Sequence, residues 1–98
     1  MFFLYIIECE NNTLYTGITA DLSQRWRLHL AGKGAKYTRS FPPKRLAAFW
    51  QLDTDRSTCL SLESRLKKLS RAQKLMLIKS PDQLFVTLKI DPKIAIKS

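Results

Sequence analysis

The chain is predicted to fold as an α+β domain, a small, mainly antiparallel three-stranded sheet flanked by helices in the order β-β-α-β-α-α. Three observations carry this expectation. Two apolar runs of strand length, Phe2–Cys9 and Leu14–Thr19, are separated only by the polar, turn-prone "ENNT". Later segments repeat their apolar residues every three or four positions, as amphipathic helices do. Between those segments Leu46–Leu52 reads as a further strand with two aromatics. A length of 98 residues suits one domain with one modest core.

The elements follow in order. Phe2–Cys9 sets Phe3, Tyr5, Ile7 and Cys9 on one face. A three-residue turn over Glu10, Asn11 and Asn12 would put Ile7 opposite Tyr15 and Tyr5 opposite Gly17, so both tyrosines share a sheet face on a diagonal. The first helix is expected from about Asp21 to Ala31, with Thr19 as cap, Asp21 in the first turn and Gly32 at the stop. Leu22, Trp26 and Leu30 make its apolar stripe, and Arg25 and His29 lie along that stripe's edge. "GKGAKYTRSFPPKR" reads as a loop, opened by two glycines and closed by Pro42 and Pro43. After the third strand, Asp53 and Asp55 mark a turn and a cap. A second helix runs from about Arg56 to Leu69 and buries Cys59, Leu62, Leu66 and Leu69. A third, short helix covers Arg71–Ile78 and ends before Pro81. Residues 1–80 are thus expected to form the domain, and 81–98 a tail with a short extended segment and a frayed end.

Charge narrows the function classes. The net charge is +9, and its distribution is uneven. Residues 1–20 contain no Lys or Arg, whereas residues 25–79 contain fourteen against three acids, Asp53, Asp55 and Glu63. Such a field attracts a polyanion, most commonly nucleic acid, with an acidic protein partner, a membrane surface or plain solubility as the other readings. The two cysteines, Cys9 and Cys59, have neither CxxC nor metal-ligand spacing and are expected to pack as small apolar residues. No apolar run approaches the roughly 20 residues of a membrane span, and "MFFLYII" lacks a basic leader and a small-residue cleavage site. A cytoplasmic protein without membrane contact is expected.

Several chemistries are set aside by pattern. "AGKGAK" lacks P-loop spacing and follows a helix rather than a strand. No nucleophile elbow surrounds a serine, and no carboxylate cluster offers a two-metal site. Tyr5, Tyr15, Arg25, His29 and Glu63 remain. Each has an ordinary structural explanation: strand-edge tyrosines, an exposed pair on a basic helix, and a Glu63–Lys67 pair four positions apart. Glu63, however, is the only acid between Arg56 and Pro81 and sits beside the apolar stripe.

Taken together, "FLY" (Phe3–Tyr5), "YTG" (Tyr15–Gly17), "DLSQRWRLH" with its R-x-x-x-H spacing, "GKGAKYTRS" and "SLESRLKKL" resemble a GIY-YIG nuclease domain. The resemblance covers about Phe2–Ile78. It points to the small, single-domain YhbQ-like (UPF0213-type) group, similar to the N-terminal nuclease domain of UvrC. It implies an endonuclease that hydrolyses phosphodiester bonds in nucleic acid, DNA in preference to RNA, with one Mg²⁺ or Mn²⁺ ion, in repair or recombination. It would make Tyr5 the base or base-assisting phenol and Tyr15 its hydrogen-bonding neighbour that orients water or phosphate. Arg25 would hold the scissile phosphate, His29 would assist Tyr5 or the leaving group, and Glu63 would be the only protein carboxylate on the metal.

These residue types suit that chemistry. Arg offers a rigid fork for phosphate oxygens. A hydrated Mg²⁺ often takes only one or two protein carboxylates. A phenol with an ordinary pKa of about 10 needs help to act as a base. Gly17, opposite Tyr5, would leave the phenol reachable by water and phosphate. Lys33, Lys36, Tyr37 and Arg39 would form an outer track for backbone phosphates. The first motif keeps only its Tyr, Thr16 stands where the second has Ile, and Gln73 is the nearest amide to the Asn that larger relatives carry after the metal Glu. A second DNA-binding domain is not read from the sequence, so the expectation is either low specificity or a protein partner that supplies it. The alternative is a basic nucleic-acid-binding module without efficient catalysis. An isolated carboxylate in a basic field favours the enzyme, because a binding module gains nothing from repelling phosphate.

Overall fold

The first two strands pair as an antiparallel hairpin. A computed structural model of the chain describes residues 1–94, and the frayed end expected at residues 95–98 lies outside the described residues. β1 (Phe2–Cys9) and β2 (Leu14–Thr19) have the expected bounds and register, Ile7 opposite Tyr15 and Tyr5 opposite Gly17. The turn closes through Asn12, whose backbone lies in the left-handed region (φ 64°), a conformation Asn tolerates.

β3 (Pro43–Leu52) pairs with the other side of β1, giving the order β2-β1-β3 with all pairs antiparallel. It starts three residues before the expected Leu46, because Pro43 already pairs with Cys9. A bulge lies between Ile6 and Ile7: Ala48 faces Ile6, Leu46 faces Ile7, and Ala47 is the extra residue. The bulge turns Leu46 onto the same side as Tyr5 and Ile7.

Helices cover both faces of the sheet. On one side, Leu4, Ile6, Ala48, Trp50 and Leu52 pack against α3 (Arg56–Lys67), α4 (Arg71–Lys79) and α5 (Gln83–Thr87) through Cys59, Leu62, Leu66, Leu77 and Leu84. On the other side, Tyr5, Ile7 and Cys9 pack against Leu22 and Trp26 of α1 (Leu22–Leu30) and Tyr37 of α2 (Lys36–Ser40). Both cysteines are buried and free, one in each layer, as small apolar residues.

Four expectations are corrected. Asp21, not Thr19, caps α1: its side chain accepts from the Gln24 amide at 3.0 Å, while Thr19 Oγ1 accepts from the Asp21 amide. The apolar stripe of α1 does not reach Leu30, which is 57% exposed, and the buried residue of that turn is His29. The loop after α1 contains the one-turn helix α2, reached through Gly32 in the left-handed region (φ 75°). The tail is not extended. Residues 83–87 are helical, and Leu84 and Leu88 complete the core that α3 and α4 begin. Two side chains fasten this segment. Trp50 Nε1 donates to the Pro81 carbonyl at 2.7 Å, and Arg65 donates to the Leu88 carbonyl. A smaller shift is that α3 ends at Lys67 rather than Leu69, and Ser70 begins α4 with a capping box closed by Gln73.

Candidate active site

The hairpin and α1 converge on one buried polar cluster. Tyr5 and Tyr15 project from the sheet face that α1 covers, and His29 arrives from the last turn of α1. The Tyr5 hydroxyl lies 3.0 Å from His29 Nε2. The imidazole stands edge-on to both phenols, with ring centroids 5.8 Å from Tyr5 and 5.4 Å from Tyr15. Its other nitrogen, Nδ1, lies 2.7 Å from Thr38 Oγ1 on α2. Tyr5, His29 and Thr38 are each at most 2% exposed.

Gly17 has a role different from the one expected. The phenol of Tyr5 is not left open by the missing side chain. It lies across the Gly17 backbone, where a Cβ would overlap the phenol oxygen and its ring carbon. Gly17 therefore allows the burial of Tyr5 rather than its exposure. Gly34 does the same for His29: a Cβ there would come within 2.6 Å of Nδ1. The Gly34 carbonyl also accepts from Arg25 Nη1 at 3.2 Å, which holds the guanidinium one turn before His29.

Burial dominates the electrostatics. It pushes the Tyr5 phenol up to about 12; the neighbouring Tyr15 and Glu63 push the same way, and Arg25 opposes them. Tyr15 is raised by burial and then by Glu63, again against Arg25. His29 is pulled down to about 4 by burial first and by the Arg25 cation second. At neutral pH the cluster is thus a neutral phenol beside a neutral imidazole.

Glu63 stands on α3, in the opposite layer, yet its charge acts on both phenols. It also pairs with Lys67 across a loose 3.6 Å. No group of three His, Cys, Asp or Glu side chains able to hold a metal exists among the described residues. That donor set does not suit a zinc-type site. It fits a hard, hydrated cation that takes one protein carboxylate and completes its shell with water and phosphate oxygens.

The outer residues divide. Lys33, Lys36 and Arg39 are exposed. Tyr37 belongs to the inner wall instead: its ring stacks on Tyr15 at 5.8 Å and 19°, and its hydroxyl donates to Thr13 Oγ1. Gln73 is spent on the α4 capping box, donating its backbone N–H and accepting through its side-chain oxygen, so it is no counterpart of the missing amide.

Sequence reasoning missed Thr38, Gly34 and Arg56. The first two sit in a stretch read as loop, where only the one-turn helix reveals them. Arg56, at the start of α3, lines a cleft of about 260 Å³ together with Arg25, Phe2, Ile18, Thr19 and Ala20. Neither arginine is in an ion pair among the described residues.

A family profile for the GIY-YIG catalytic domain matches residues 1–76. The chain belongs to the GIY-YIG family. Domains of this family are nucleases, act on nucleic acid and generally use a divalent metal. Its relatives include members of the UPF0213 group. The UPF0213 protein of Cupriavidus necator is 47% identical over 72 residues, 74% of this chain and 77% of its own length. That of Fusobacterium nucleatum is 36% identical over 96 residues, 98% and 95% of the two chains. The solution NMR structure of the UPF0213 protein BH0048 from Bacillus halodurans covers 93% of this chain and 100% of its own, with a TM-score of 0.51 and 36% identity. The GIY-YIG fold expected from the motifs, a three-stranded antiparallel sheet with helices, is thus the fold of the chain. Among the described residues no helix is long and apolar enough to cross a membrane.

Proposed function

We propose that this GIY-YIG domain is a metal-dependent endonuclease that hydrolyses phosphodiester bonds, with DNA as the preferred substrate. The observation that carries the reading is the hydrogen bond between a buried, neutral tyrosine and a neutral histidine inside the fields of Arg25 and Glu63.

Tyr5 does not act as a preformed phenolate. With its pKa about five units above neutral, only about one phenol in 10⁵ is ionised at pH 7. The hydrogen-bonded pair offers another route. As the attacking water loses a proton to the Tyr5 oxygen, the Tyr5 proton moves to His29 Nε2. The new bond forms between water oxygen and phosphorus, and the bond from phosphorus to the leaving oxygen breaks. The leaving oxygen takes up a proton from solvent, and His29 returns its proton through Tyr5. General-base assistance is typically worth about 10²–10⁴ in rate, and a ring pulled down to about 4 stands at the low end of that range. Arg25 and Arg56 would hold non-bridging oxygens of the substrate's phosphates and spread the developing charge. Glu63 would hold the cation, which when bound supplies Lewis-acid stabilisation of the phosphoryl charge. Tyr15 would orient water or phosphate, and Lys33, Lys36 and Arg39 would attract the backbone. A role in repair or recombination, with a protein partner for specificity, fits a domain this small, and a cytoplasmic location fits such a substrate.

The test is cleavage of single-stranded, duplex and branched DNA and RNA with Mg²⁺ or Mn²⁺, comparing wild type with Glu63→Gln. The expected result is metal-dependent cleavage by wild type and loss of at least 10²-fold in the variant. Equal cleavage by both refutes the assignment of Glu63. Binding by both without cleavage by either leaves a nucleic-acid-binding module.

A further inference from the structure

His29 has two ring nitrogens and a proton for only one of them while neutral. Which nitrogen carries it decides whether Nε2 can receive anything from Tyr5. The surroundings constrain the ring from both ends. On the Nδ1 side, the Thr38 hydroxyl lies 2.7 Å away and is also 3.3 Å from the Ala35 carbonyl. A carbonyl only accepts, and a hydroxyl has a single proton to give. With that proton on Ala35, Thr38 Oγ1 can only accept from Nδ1–H. On the Nε2 side, the buried Tyr5 hydroxyl needs an acceptor for its own proton, and Nε2 is its hydrogen-bond partner. Both ends select the same form: Nδ1 protonated, Nε2 bare.

We propose that Thr38 is a positioning residue that fixes His29 in the Nδ1–H tautomer, so that Nε2 is held ready to take the Tyr5 proton. The chain of donors runs Tyr5 O–H to His29 Nε2, His29 Nδ1–H to Thr38 Oγ1, and Thr38 Oγ1–H to the Ala35 carbonyl. The fold around it serves that alignment. α2 is a single turn without a side-chain cap, and Thr38 is its one buried residue. Gly34 lets the backbone before α2 close over the imidazole, where any Cβ would meet Nδ1 and Cγ. The opposite tautomer would place an N–H against the phenol oxygen and leave the Tyr5 proton without an acceptor among the described residues. The catalytic consequence rests on the nuclease reading above; the tautomer does not.

The chain contains one histidine, so its imidazole nitrogens are read without assignment. The experiment is long-range ¹H–¹⁵N correlation on ¹⁵N-labelled wild type, Thr38→Val and Thr38→Ser at pH 7, with cleavage kinetics on the same samples. Wild type is expected to show a pyrrole-like Nδ1 and a pyridine-like Nε2. Thr38→Val keeps the shape of the side chain without its oxygen; it should move the ring towards Nε2–H or a mixture and lower kcat by about 10- to 100-fold with KM little changed. Thr38→Ser should restore both. A wild-type spectrum with a protonated Nε2 overturns the inference with no variant needed, even if Thr38→Val fails to fold. An unchanged tautomer in folded Thr38→Val also overturns it. A tautomer that follows Thr38 in a protein that cleaves nothing upholds the assignment of Thr38 and refutes the nuclease reading instead.

Discussion

Acidifying the protein from pH 7 to pH 5 should destabilise it through His29 alone. In the unfolded chain the imidazole titrates near 6.5, and in the folded chain burial brings it down to about 4. Between those values the unfolded state binds a proton that the folded state refuses. Folding stability therefore falls as pH falls, with a slope approaching 1.4 kcal/mol per pH unit. The stabilisation is fully present above 6.5 and is lost progressively as pH drops towards 4. From pH 7 to 5 the loss comes to about 2 kcal/mol, as an order of magnitude, for a side chain only 1% exposed. In a domain of this size each kcal/mol moves Tm by about 4–8 °C, so Tm should drop on the order of 10 °C. No other imidazole exists to contribute. Glu8 and Asp55, whose carboxyls are held below their ordinary values by Arg45 and by hydrogen bonds from Thr58, release their share only below this window. The assay is thermal or urea unfolding of wild type and His29→Gln at half-unit steps. A flat wild-type curve between pH 7 and 5, or the same slope in His29→Gln, refutes the reading of His29 as a buried neutral ring.

Four further outcomes follow from the same geometry. Tyr5→Phe should lower kcat about 10²–10⁴-fold and cost about 1–3 kcal/mol, because the buried His29 Nε2 loses its hydrogen-bond partner; stopped-time cleavage and urea unfolding measure the two effects. Arg56→Ala should weaken nucleic-acid binding and reduce the slope of log K against log salt by about 1, read by fluorescence anisotropy, while leaving the His29 spectrum untouched. Thr16→Val should raise stability by about 1 kcal/mol without changing kcat, since Thr16 Oγ1 is buried without a hydrogen-bond partner among the described residues and faces away from the phenols. Deleting residues 81–98 removes Leu84 and Leu88 from the core, at about 2–5 kcal/mol for a buried leucine, and should leave a chain without a cooperative unfolding transition by circular dichroism.

Much of the fold was legible because the sheet speaks in short periods. β1 and β2 have the expected ends, and a three-residue turn set a register that the sequence could state pair by pair. Helix α3 was visible through Cys59, Leu62 and Leu66, which recur at helical spacing and are buried, whereas Leu69, expected with them, lies beyond the helix end and is only half-buried. The misses share a cause. Five residues of α2 and five of α5 are too few for a 3.6-residue period to emerge. The bulge at Ala47 breaks the alternation that would have extended β3 back to Pro43. The tail was misread because Leu84 and Leu88 signal a core only once α3 and α4 supply the other half of it.

The site shows a different limit. Tyr5, Tyr15, Arg25, His29 and Glu63 were singled out through the resemblance of their motifs to a GIY-YIG domain, but spacing does not say which of two neighbouring faces a helix turns inwards. On α1 the apolar count favoured Leu30, and the fold buries His29. A polar ring is buried in preference to a leucine only if both its nitrogens find partners, and those partners are Tyr5 on β1 and Thr38 on α2, 24 residues before it and 9 after it. Leu30 can stay exposed at the cost of its own transfer free energy, whereas an unpartnered imidazole could not stay buried. The three residues therefore stand or fall together. His29 is inside because Tyr5 and Thr38 are there to bond it, and Gly17 and Gly34 supply the room that lets them approach. That interdependence is what the one-histidine spectrum and the pH 7–5 stability slope measure from two sides, one reading the proton on the ring and the other the cost of adding a second.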